Sequence, residues 1–155
     1  MNRLALPAVG AAALTALTAL TAAPALAAAP AAASATETVT SCGSPGLQAG
    51  LNTRVCADVT GTTVVVHGKV GLAGPPSPGG PAPEPRELLT TLSAEVVGGG
   101  APVTQAKPVV FTAAGLDVRG PAVSVPCGST LRAAFGVASF PWAARPVVHE
   151  VTVAC

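Results

Sequence analysis

Two runs of strict alternation in the last quarter of the chain constrain its fold more than any other feature. Leu131, Ala133, Phe135 and Val137 alternate with Arg132, Ala134, Gly136 and Ala138. Further on, Val147, His149, Val151, Val153 and Cys155 share one parity against Val148, Glu150, Thr152 and Ala154. A period of two sends successive side chains to opposite faces of a strand, so each run predicts one face for a core and one for solvent. Phe135 is a core residue on this reading, and the core-directed face of the second run must accommodate His149. Between the runs, Phe140-Pro141-Trp142-Ala143-Ala144-Arg145-Pro146 has no period and two prolines, which makes it a stiff loop. Cys127 and Cys155 bracket the stretch, so two strands and their loop can be closed by a disulfide.

The same logic extends backwards through the chain. Seventeen glycines and sixteen prolines cut it into short pieces, and no segment beyond the apolar N-terminus carries a helical period. Residues 36–40 suit a first strand, and the turn-rich residues 43–52 read as a loop. Residues 54–59 place Val55, Ala57 and Val59 on one face, and Thr60-Gly61 supplies a hairpin turn. In residues 62–71, Val64, Val66 and Val70 point inward, which sends His67 and Lys69 outward and predicts a solvent-exposed His67. Residues 71–87 form a Pro/Gly-rich surface loop. Residues 88–97 return as a strand with Leu88, Leu92, Ala94 and Val96 inward, ended by Gly98-Gly99-Gly100. Residues 103–111 contain Pro108 and belong at a sheet edge. Residues 116–119 and 122–125 are short segments separated by Gly120-Pro121. Seven or eight short strands with turns between them predict an all-β protein, an antiparallel β-sandwich of generally immunoglobulin-like shape.

The N-terminus reads as a signal peptide over residues 1–27. Asn2 and Arg3 form a basic start, an Ala/Thr-rich apolar run broken by Pro7 and Pro24 follows, and small-residue cleavage options lie at Ala25-Leu26-Ala27 and as late as residue 35. Residues 28–35 are a disordered lead-in, leaving residues 36–155 as one domain with no integral membrane segment. The expectation is a secreted, extracellular protein. Its richness in Ala, Gly, Pro and Val, with no Tyr, matches a GC-rich bacterial coding sequence.

Export makes disulfides the default for Cys42, Cys56, Cys127 and Cys155. The pairs favoured are Cys42 with Cys56 and Cys127 with Cys155, neighbours across a turn or hairpin, each worth about 3 kcal/mol through loop closure. The rival pairs Cys56 with Cys127 across two sheets, but no tryptophan follows Cys56 as in immunoglobulin domains.

Residues 38–42, TVTSC, followed by RVCADV at 54–59, resemble the first disulfide region of the subtilisin-inhibitor family, whose two disulfides are also local in sequence. The resemblance spans residues 38–59. Cys127 is followed by Gly-Ser-Thr-Leu rather than that family's reactive-loop motif, so it assigns no site residue here. The chain is also similar in size, composition and disulfide number to neocarzinostatin-type apoproteins, with different cysteine spacings.

Charge and residue supply exclude several functions. With Arg3 in the leader, the remaining seven basic residues (Arg54, Lys69, Arg86, Lys107, Arg119, Arg132 and Arg145) are scattered and balanced by seven acidic ones, which gives no surface for nucleic acid. No zinc-type Cys or His spacing and no cofactor motif is present, and the two histidines could share a metal only if their strands were adjacent. A Ser/His hydrolase lacks a Gly-x-Ser-x-Gly elbow, and nothing brings two of Asp58, Glu84, Glu87, Glu95, Asp117 and Glu150 into one cleft. With one Trp and no Tyr, the chain cannot build a multi-ring sugar platform.

Phe140, Trp142 and Arg145 therefore stand as the candidate binding residues, a stiff loop with two aromatics and a cation. The alternative for the aromatics is that they fold back and plug one end of the sandwich, and for a domain with four aromatics this is the favoured reading. The function expected is a non-enzymatic surface binding module whose partner is a protein or a component of the cell envelope. A secreted proteinase inhibitor, using the Arg86 or Arg145 region, and a small-molecule carrier are the alternatives.

Overall fold

Valine-rich alternation builds the centre of the molecule. The computed structural model describes residues 37–75, 79, 84–112 and 114–155; the leader at 1–27, the lead-in at 28–35 and much of the Pro/Gly-rich loop lie outside them. In β3 (Leu51–Thr60) and β4 (Thr63–Leu72), Val55, Ala57, Val64, Val66 and Val70 fall on one face and are buried. Gly61 and Thr62 form the two-residue turn between them, with Gly61 at φ 57°. Positive φ at that position is what a right-twisted hairpin requires.

Among the described residues the chain is all-β, with nine strands in two antiparallel sheets arranged as a sandwich. One sheet runs β1 (Thr38–Cys42), β3, β4, β7 (Gly115–Ser124), with β2 (Gly46–Gln48) also paired to β3. The other runs β6 (Val103–Phe111), β5 (Arg86–Val96), β8 (Thr130–Ala138), β9 (Val147–Thr152). No helix of the described residues is long and apolar enough to cross a membrane. β6 lies at a sheet edge, where Pro108 has no ladder bond to donate on its open side.

The sheets meet through the inward parity of each strand. Leu88, Leu92 and Ala94 of β5 and Leu131, Ala133, Phe135 and Val137 of β8 face Val55, Val64, Val66 and Val70 across the core. Each fully buried Val, Leu or Phe contributes about 1.5–3 kcal/mol of transfer free energy. Phe135, the largest of these side chains, is fully buried because β4 carries Gly68 opposite it. A Cβ at Gly68 would lie 2.5 Å from two atoms of the Phe135 ring, so the glycine is the socket for the ring.

Both disulfides close as expected, Cys42 to Cys56 and Cys127 to Cys155. The first joins residues directly opposite each other on β1 and β3, within one sheet, so the inter-sheet pairing of Cys56 with Cys127 does not occur.

Four local expectations are corrected. Residues 43–52 are not all loop: Gly46–Gln48 pairs with β3, and β3 already begins at Leu51. The segments 116–119 and 122–125 are not separate: Leu116 to Ser124 belong to one strand, β7, because the Gly120-Pro121 pair is absorbed as a bulge in the pairing with β4, between Val65 and His67. The strands number nine rather than seven or eight. His67 does point to the outer face, yet its side chain is only 13% exposed. Its neighbours in register are Cys56, which carries the disulfide, and Arg119, and Asp58 lies 3.4 Å from its Nδ1, so they cover the ring.

Candidate functional site

The loop after β8 is a tight turn rather than a plug. Ser139 N–H donates to Trp142 O at 3.1 Å and Trp142 N–H to Ser139 O at 2.6 Å, and the Phe140–Pro141 peptide within the turn is cis. Phe140 at the tip is 99% exposed and Trp142 62% exposed, so the expectation that both fold back into the sandwich is overturned. The reason lies in the turn itself, whose two backbone hydrogen bonds close residues 139–142 on themselves just beyond the end of β8. The small residues of the loop take the sheet face instead. Gly136 leaves the room for them, since a Cβ there would stand 3.2 Å from the Ala144 Cβ and 3.4 Å from the Pro146 Cγ.

Gln48 fixes the loop in place. Its amide is buried, with Nε2 donating to Thr53 Oγ1 (2.8 Å) and Phe135 O (3.0 Å), while Oε1 accepts from the N–H groups of Val137 (2.9 Å) and Arg145 (3.2 Å). The pairing of β8 with β9 ends at Phe135 opposite Val147, and the preceding residue, Pro146, has no N–H to continue it. Beyond that point the side-chain amide stands where a strand residue would, satisfying β8 groups that would otherwise be buried without partners. Sequence reading missed this residue. A lone glutamine among glycines in a three-residue strand has no periodic signal.

Around the turn the surface is apolar and grooved. A groove of about 730 Å³ runs between the turn and the outer faces of β5 and β6, lined by Leu89, Pro108, Val110, Phe140, Pro141 and Trp142, with Glu87 the single charged residue in its wall. A second groove of about 380 Å³ lies on the other side of Trp142, lined by Leu47, Gln48, Ala49, Gly50 and Arg145. Trp142 and Ala143 border both, so Trp142 is a ridge between two hollows. The structure thus brings Phe140, Trp142 and Arg145 onto one continuous surface and adds Leu47, Leu89, Val110 and Glu87 to it. Arg86, the other cation of interest, donates to Ala49 O at 2.8 Å and helps hold the β2–β3 turn.

Elsewhere, polar groups are engaged in holding strands together. Ser41 Oγ and His149 Nε2 are 2.8 Å apart, a link across the seam between β1 and β9, and among the described residues no carboxylate is bonded to the other ring nitrogen. Such a carboxylate is what orients the base of a hydrolytic triad. His67 sits on the outer face of β4, in the opposite sheet from β9, and Asp58 beside it also accepts from Thr40 Oγ1 at 2.6 Å. No group of three or more His, Cys, Asp and Glu side chains among the described residues is placed to hold a metal ion. A shallow hollow of about 400 Å³ on the first sheet combines Asn52, Arg54, Lys69 and Asp117 with apolar residues such as Val70, Leu72 and Leu116, and carries its own ion pair, Lys69 to Asp117 at 3.9 Å.

No protein-family model matches the chain, and neither a curated protein nor a solved structure matches it. The likeness of residues 38–59 to the subtilisin inhibitors accordingly stays local to that segment.

Proposed function

We propose that the protein is an exported, non-enzymatic binding module that works through the face centred on Trp142. The observation that carries this reading is the exposure of Phe140 and Trp142 on a turn whose backbone is pinned by Gln48. Large apolar side chains held rigidly in water are costly to solvation and gain by being covered, and aromatic anchors of this kind dominate protein recognition. A pinned loop also loses little conformational freedom on binding. Export to an oxidising compartment accords with two closed disulfides and no free cysteine among the described residues. The partner class is a protein or cell-envelope surface rather than a nucleic acid.

The test is retention of fluorescently labelled protein on envelope fractions of the producing cells. Phe140→Ser with Trp142→Ser is expected to abolish retention while leaving the thermal midpoint unchanged; equal retention by this variant removes the face from the function. The inhibitor reading has less support, because a turn closed on itself by two backbone bonds is not the extended segment that a protease cleft grips. Titration against subtilisin-like and trypsin-like enzymes decides it, and inhibition at micromolar protein would replace the present proposal.

A further inference from the structure

The face around Trp142 carries a carboxylate, Glu87, on one side of its ridge and a guanidinium, Arg145, on the other, and we infer that its partner is a second copy of the chain, docked about a two-fold axis at the Trp142 ridge. This rests on the reading above that the face is a binding surface, and it names the partner.

Two features support the pairing. The first is where the apolar side chains gather. Of nine large apolar side chains exposed among the described residues, five (Leu47, Leu89, Val110, Phe140 and Trp142) border the two grooves. Soluble monomers rarely leave such a cluster contiguous and uncovered.

The second feature is charge. Glu87 lines the groove on one side of Trp142 and Arg145 lines the groove on the other. Among the described residues neither takes part in an ion pair within the chain, where the pairs are His67–Asp58, Lys69–Asp117 and Arg132–Glu150. A two-fold rotation about the ridge places the Glu87 groove of each copy against the Arg145 groove of the other, so a single contact offers two identical Glu87–Arg145 ion pairs. An isologous interface needs this kind of antisymmetry, with residue i meeting j and j meeting i. A different partner would have to supply the complement that this chain already carries.

The same rotation sets the two Trp142 side chains against each other at the axis. Strand addition along β6 is a poorer route to self-association, because Pro108 and the exposed Lys107 interrupt its open edge.

Sedimentation equilibrium from micromolar to millimolar protein tests the pairing, with the emission of Trp142, the only tryptophan, as a second readout. The expected result is a monomer–dimer equilibrium accompanied by a blue shift as Trp142 leaves water. Trp142→Ala should raise the dimer Kd by about 30-fold or more, as for a central aromatic anchor. Glu87→Arg and Arg145→Glu should each raise it by about tenfold, and the double reversal should restore it, since the two charges have only changed places. Unchanged thermal midpoints show that each variant is folded. A monomer at every concentration, or a double reversal no tighter than the single ones, overturns the inference. If such a monomer still binds envelope fractions through Trp142, the second copy is excluded and the binding surface stands; if that binding is also missing, both fall.

Discussion

Phe135 and Phe140 are the same side chain five positions apart, and one is fully buried while the other is 99% exposed. The first lies on the inward parity of a strand, with a glycine in the facing sheet to receive it. The second lies on a turn, where parity lapses and the backbone aims side chains by its own hydrogen bonds. Burial in this molecule follows from position in the pleat, not from hydrophobicity. An apolar residue outside the pleat is left to whatever the protein meets.

The sharpest way to break this comparison is to remove the buried ring. Phe135→Ala should cost about 3–5 kcal/mol of unfolding free energy, read from urea denaturation, because the cavity it leaves is walled by rigid strands. Filling the socket from the other side acts similarly. Gly68→Ala should cost about 2–3 kcal/mol by overpacking, and combining it with Phe135→Leu should lose less than the sum of the two.

Removing the pin is milder. Gln48→Ala should cost about 1–2 kcal/mol and speed hydrogen exchange at the Val137 and Arg145 amides, which lose their acceptor. The exposed ring should matter least to the fold, with Phe140→Ser changing stability by no more than about 0.5 kcal/mol. A loss at Phe140 comparable to that at Phe135 would end the distinction between the two.

Much of the fold could be read from alternation alone, because a buried sheet face writes itself into every second residue: the inward sets of β3, β4, β5 and β8 are those expected. The misreadings occurred where backbone geometry overrides residue type. Gly120-Pro121 looks like a break but is a bulge, since the ladder can step over an extra residue and resume. Gly46–Gln48 is too short to show a period. His67 is covered by outer-face neighbours that only the pairing register brings together. The candidate residues Phe140, Trp142 and Arg145 were visible as a group because two of the four aromatics and a cation stand together in a chain poor in both rings and charge. Their exposure was not, because whether an aromatic loop turns in or out depends on how its backbone hydrogen bonds close the turn.

The way Gln48 holds the loop has a consequence for how this surface can change. The amide bonds only to main-chain atoms of the turn region, Phe135 O, Val137 N and Arg145 N, and to none of its side chains. The path of the loop is therefore independent of the side chains displayed at 140, 142 and 145. Those three positions form a rewritable address on a fixed mount. A library randomised there should keep its fold while changing what it recognises, and natural drift can redirect this face without passing through an unfolded intermediate sequence.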